Sequence, residues 1–85
     1  YFEVEILNEI DKYNEYVLLG LRTANGISKN FIVDSFDKKI VAYFSKEISK
    51  LDKDEFILQD GDQICLSRKG ILMSDFIIRK LFYVP

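Results

Sequence analysis

The chain has 85 residues, of which 48% are hydrophobic, 14% aromatic and 31% charged, with a net charge of −2 and a pI near 5.0. That is the length of one domain spanning 1–85, with a core burying about 60–65% of the unfolded surface. It is too hydrophobic for a disordered segment and too acidic for a general attraction to phosphate backbones, and it lacks the ~20-residue apolar run of a membrane span.

Cys65 is the one cysteine and cannot close an internal disulfide, which predicts a reducing, cytoplasmic setting. The sequence opens on Tyr1 without a signal-peptide pattern and reads as a piece cut from a longer protein.

Phe2, Val4 and Ile6 alternate with Glu3 and Glu5, so residues 1–7 read as an extended lead-in. Asn8 followed by Asp11 resembles a helix start, an amide-capping residue ahead of an early carboxylate. Ile10, Tyr13, Val17, Leu21 and Ala24 then recur at helical spacing, with Gly20 leaving room for a close neighbour. Asn25-Gly26 ends this helix, because Gly takes the left-handed conformation without a Cβ clash.

Ser28 can cap a second, short helix carrying Phe31, Ile32 and Phe36. Asp37 starts a third, with Ile40, Phe44, Ile48 and Leu51 on one face, and residues 52–55 read as a polar loop. In "FILQDGDQICLS", two apolar runs flank Asp60-Gly61 and predict a β-hairpin. A two-residue loop sets Ile57 opposite Ile64. A three-residue loop over 60–62 sets Leu58 opposite Ile64 and Phe56 opposite Leu66, which is preferred for its cleaner apolar face.

Ser67 can cap a last helix carrying Ile71, Leu72, Met73, Phe76, Ile77, Ile78, Leu81 and Phe82. A helix apolar nearly all round needs cover on more than one side. Three helices, a hairpin and a closing helix predict an α+β, mainly helical, winged-helix-like domain.

The residue types argue against catalysis by this chain. There is no His, the commonest general acid/base. Cys65 has no Cys or His near it in sequence, so no metal ligand set is expected. Six serines read as caps and surface positions, and neither Gly turn has a phosphate-cradling pattern. Lys39, Lys46, Lys50 and Lys53 share an arc of the third helix and could touch phosphates, which keeps a winged-helix DNA-binding domain as the alternative. Against it, Asp60 and Asp62 sit at the hairpin tip and the arc lacks Arg, Asn or Gln for bidentate base reading. Glu15, Leu18 and Arg22 share the face opposite the apolar stripe of the first helix, and are candidate docking or substrate-side residues.

"NEYVLLGLRTANGIS" resembles the opening of the C-terminal domain of the oxygen-independent coproporphyrinogen III oxidase family. The match falls on Glu15, Tyr16, Val17 to Leu19, Leu21-Arg22-Thr23 and Gly26-Ile27. Leu66, Ser67, Lys69, Gly70, Ser74 and Asp75 resemble its closing pattern. The Tyr13-Asn14-Glu15-Tyr16 wording is more similar to the haem-chaperone-like branch than to the true oxidases. The resemblance implies a radical S-adenosylmethionine barrel upstream, in the same polypeptide, holding a [4Fe–4S] cluster and S-adenosylmethionine, with haem as a further ligand in one branch. This chain, with one Cys, would hold no cofactor. It would be the non-catalytic accessory domain that packs on that barrel and helps to cover its substrate site, meeting porphyrin or haem only indirectly. Arg22 could then pair with a carboxylate of the barrel or with a porphyrin propionate.

Overall fold

The computed structural model describes residues 2–23 and 25–84, with side chains from residue 7 onward. The elements are α1 (Phe2–Arg22), β1 (Ile27–Ser28), α2 (Lys29–Ser35), α3 (Lys38–Lys53), β2 (Ile57–Asp60), β3 (Gln63–Leu66), α4 (Arg68–Leu72) and α5 (Ser74–Leu81). The domain is mainly helical with a three-stranded antiparallel sheet in the order β1-β3-β2. This α+β organisation is as expected, and its element order is compatible with a winged-helix-like arrangement.

The expected lead-in is not extended, and Asn8 does not start a helix: α1 already runs from Phe2. Phe2 and Ile6 also lie four apart, so five alternating residues fit a helix as well as a strand. Nothing from 2 to 8 breaks a helix, and Glu3 and Glu5 favour its N-terminal dipole end. The expected stripe holds: Ile10, Tyr13, Val17 and Leu21 are buried, while Ala24 lies outside the described residues. Gly20 is where β1 crosses the helix. A Cβ there would clash with Ile27 Cγ2 and lie 2.8 Å from the Gly26 carbonyl oxygen. The turn beyond α1 places Gly26 at φ +73°.

Ser28 caps α2, its hydroxyl accepting from Phe31 N–H (3.2 Å). Asp37 caps α3, accepting from Lys39 N–H (3.2 Å). Ile40, Phe44, Ile48 and Leu51 are buried as expected. Residues 52–55 are not all loop. α3 continues to Lys53 and closes in a Schellman motif, with Phe56 N–H donating to the Leu51 carbonyl (3.0 Å) and Glu55 N–H to that of Asp52 (3.1 Å). Glu55 takes φ +64° there, a position usually given to Gly.

The hairpin follows neither expected register. Asp60 pairs with Gln63, Gln59 with Ile64, Leu58 with Cys65 and Ile57 with Leu66. The loop is therefore Gly61-Asp62, with Gly61 at φ +60° as the first central residue, the pattern of a II′ turn. The missing information was β1, which pairs Ile27 with Ile64 and makes β3 the central strand. Ile27, Ile57 and Ile64 consequently enter the core, while Leu58 points away and is exposed.

Asp62 staples this tip to α2. Its carboxylate accepts from the Ser28 hydroxyl and from Asn30 N–H (2.7 Å), and its carbonyl accepts from Lys29 N–H (3.0 Å). The hydrogen bonds from Ser28 and then Asn30, with Lys29 nearby, hold the carboxyl below its usual value of 3.8.

Two outcomes follow from these contacts. Gly20→Ala adds about 1 kcal/mol of helix propensity, but the overpacking against Ile27 costs about 1–3 kcal/mol. Denaturant titration should therefore show net destabilisation. Because its folded pKa is depressed, Asp62 contributes stability in full above its unfolded pKa and loses it as pH falls through the lower folded value. Asp62→Asn should lower the unfolding midpoint at pH 7, and the difference between thermal melts of the two proteins should begin to shrink near pH 3.8 and vanish only below the depressed folded value.

Candidate functional site

The closing segment is not one helix but two, joined at a corner. Ser67 caps α4, its hydroxyl accepting from Gly70 N–H (3.0 Å). The same hydroxyl donates to the Glu55 carbonyl (2.7 Å), and Ser67 N–H donates to that of Phe56 (2.9 Å). Gly70 is buried against the Phe56 carbonyl. These contacts fix α4 to the start of β2, whereas α5 must turn to bury Ile77, Ile78 and Leu81 against α1 and α3. The chain reconciles the two demands by breaking at Met73 (φ −114°, ψ 25°).

The corner leaves one side of the segment uncovered. Ile71 is 62% exposed, Leu72 83%, Met73 43% and Phe76 46%. Beside it lies a cavity of about 450 Å³ lined by Leu21, Arg22, Thr23, Cys65, Leu66, Ile71 and Ser74. Arg22 enters from the C-terminal turn of α1, where a cation complements the helix dipole. Thr23 donates its hydroxyl proton to the Gly20 carbonyl (3.3 Å). No carboxylate lines this cavity.

The inner side of α5 is fastened by tyrosines. Buried Tyr13 donates to the Leu81 carbonyl (2.7 Å), and Tyr43 donates to that of Lys80 (2.7 Å). Both acceptors belong to the last turn of α5, whose carbonyls have no partner within the helix. Asn14 clamps Tyr83 in both directions, accepting from its N–H (2.8 Å) and donating to its carbonyl (3.2 Å). Burial, with Tyr43 and Glu47 nearby, raises the Tyr13 hydroxyl's pKa. Burial and Glu47 raise that of Tyr43. Both hydroxyls thus keep the proton they donate.

The three candidate residues on α1 do not form one site. Glu15 lines a separate groove of about 430 Å³ between α1 and α2, with Lys12, Tyr16, Leu19, Phe31, Ser35 and Phe36. Leu18 is not the exposed leucine expected; it is half-buried and packs on the core. Arg22 alone reaches the corner cavity. Lys39, Lys46, Lys50 and Lys53 are exposed on α3, and Lys50 lies 3.4 Å from buried Glu47. Among the described residues no group of three or more His, Cys, Asp or Glu could hold a metal ion, and no helix is long and apolar enough to cross a membrane.

A family model for the HemN C-terminal domain matches residues 7–73. The chain belongs to that family. The HemN C-terminal domain is the accessory domain of the oxygen-independent coproporphyrinogen III oxidase family. No curated protein and no solved structure matches the chain. The matched span includes Glu15, Leu18 and Arg22 and ends at the corner residue Met73, so α5 and Phe76 follow it.

Sequence reasoning missed Cys65 and Ser74 as neighbours of Arg22, because β3 and α5 bring them to the end of α1. The corner itself had a signal. Ser74-Asp75 interrupts the apolar run, and an acidic residue in a first turn marks a new helix.

The division of this segment into covered and uncovered sides gives a clear expectation. Leu72→Glu should leave the denaturant midpoint almost unchanged, within about 0.5 kcal/mol. Ile77→Ala, one turn on but fully buried, should cost about 2–5 kcal/mol.

Proposed function

We propose that this HemN C-terminal domain packs through its α4–α5 corner on a radical S-adenosylmethionine barrel in the same polypeptide, and helps to cover the substrate site there. The parent protein would act on porphyrin or haem. The observation that carries this reading is the corner itself: Ile71, Leu72, Met73 and Phe76 form an outward apolar surface on a segment whose other side is already satisfied. Exposed apolar residues concentrated on one short segment mark an interaction site, and packing between domains of one chain is one use of such a surface.

The chain's own residues do not fit an iron–sulfur centre. Cys65 is the one thiol, half-buried in β3, and there is no His. A cluster and S-adenosylmethionine would therefore be held by the barrel. The lysine arc of α3 supports a nucleic-acid reading less well, since the hairpin tip carries Asp60 and an Asp62 held by hydrogen bonds at the start of α2.

The domain contains its own reference for a test. Phe76 and Phe31 are both 46% exposed, so hydroxyl-radical footprinting should label them equally if both faces are free. In the full-length protein, Phe76 and Met73 should be labelled severalfold less than this reference predicts. Equal labelling of Phe76 and Phe31 would remove the docking reading.

A further inference from the structure

We propose that the α4–α5 corner recognises a protein surface that is apolar at its centre and carboxylate-bearing at its edge, with one carboxylate entering the Arg22 cavity. This rests on the docking reading above and adds the chemistry of the partner surface.

Charge is distributed unevenly along the chain. Residues 66–85 hold four cations, Arg68, Lys69, Arg79 and Lys80, against one carboxylate, Asp75, for a net charge of +3. The whole chain carries −2, so the first 65 residues carry −5. Exposed apolar residues also occur on the acidic part, among them Leu19, Phe31 and Val33, but those of the α4–α5 corner are the ones set among cations.

Three cations are placed at the edge of that surface. Lys80 Nζ lies 5.6 Å from the centre of the Phe76 ring. Lys69 Nζ lies 4.9 Å from that of Phe56, whose ring meets Phe76 at 6.4 Å. Lys69 is further held by donating to the Asp54 carbonyl (2.9 Å). Arg22 shares its cavity with Ile71, which is also part of the exposed apolar surface. Among the described residues none of the three is in an ion pair.

The Arg22 cavity is suited to a single protruding acid. A guanidinium presents its N–H groups in a fork that matches a carboxylate in two parallel bonds. Thr23 has spent its proton on Gly20, which leaves Arg22 and Ser74 as the strong side-chain donors among the lining residues. A volume of about 450 Å³ admits an Asp or Glu side chain with bridging water. Leu21, Leu66 and Ile71 supply apolar lining beside the pair, while Arg22 itself stays exposed, which keeps such a pair sensitive to salt.

A basic, apolar surface would also suit an anionic membrane, but the shape favours a protein. Lipid headgroups meet a long amphipathic helix lying in the interface plane. Here the surface is a corner between helices of five and eight residues, with Asp75 exposed beside it and Arg22 lining a cavity at its edge.

The test uses the full-length protein and the ratio of Phe76 to Phe31 labelling. Arg22→Glu, and separately Lys80→Glu, should raise the ratio severalfold toward unity. Arg22→Lys should give an intermediate value, and 0.5 M NaCl should raise the ratio in the wild type, as rim charges are salt-sensitive. A low wild-type ratio that neither charge reversal nor salt moves would overturn this proposal and leave the docking reading standing. A wild-type ratio of unity would overturn both. Binding of the full-length protein to phosphatidylserine–phosphatidylcholine vesicles, lost in Arg22→Glu, would replace the protein partner with a membrane and also overturn the proposal. Circular dichroism of each variant separates these outcomes from misfolding.

Discussion

The surface chemistry of this domain depends on two tyrosine hydroxyls. Tyr13 and Tyr43 donate to the carbonyls of Leu81 and Lys80, groups that a helix end leaves without partners. The Leu81 carbonyl is buried, and leaving such a group unsatisfied costs about 1–3 kcal/mol, whereas the Tyr43–Lys80 bond lies at the surface. These bonds fix both the position and the rotation of α5, and the Asn14 clamp on Tyr83 holds the chain beyond it. With the rotation set, Ile77, Ile78 and Leu81 point inward and Phe76 must point out.

A second constraint acts from the other end of the same segment. Ser67 and Gly70 pin α4 to the backbone of Glu55 and Phe56, where the end of α3 is shaped by a non-glycine residue in the left-handed region. One straight helix cannot satisfy both anchors, so the segment bends at Met73. The apolar corner results from two well-satisfied attachments and is held rigidly on the domain's surface. An interface that is shaped before the partner arrives loses less conformational entropy on docking. Such rigidity would serve the docking proposed above for this HemN C-terminal domain.

Much of this was legible in the sequence where local chemistry decides structure. Ser28, Asp37 and Ser67 were readable as caps because a short oxygen-bearing side chain ahead of an apolar repeat satisfies free amides. The stripes on α1 and α3 were readable because burial follows the helical period. Tyr13 was legible only as a member of a stripe, since its hydroxyl's partner lies 68 residues away. The hairpin register was misread because β1 is two residues long and its partner, Ile64, is far along the chain. Arg22, Glu15 and Leu18 were grouped from the helical period, yet Arg22 lines the corner cavity, Glu15 a different groove, and Leu18 packs on the core. A shared helix face brings residues into line without bringing them to one cavity.

The sequence by itself determined the helical class, the caps, the apolar inventory and, through "NEYVLLGLRTANGIS", the family. These depend on spacings of a few residues, or on a continuous string. Only the tertiary structure decided where the last apolar segment bends, which of its residues stay exposed, and which cations surround them. Those outcomes arise from competition between contacts to β2 and contacts to α1 and α3, and no local pattern encodes the balance between distant partners.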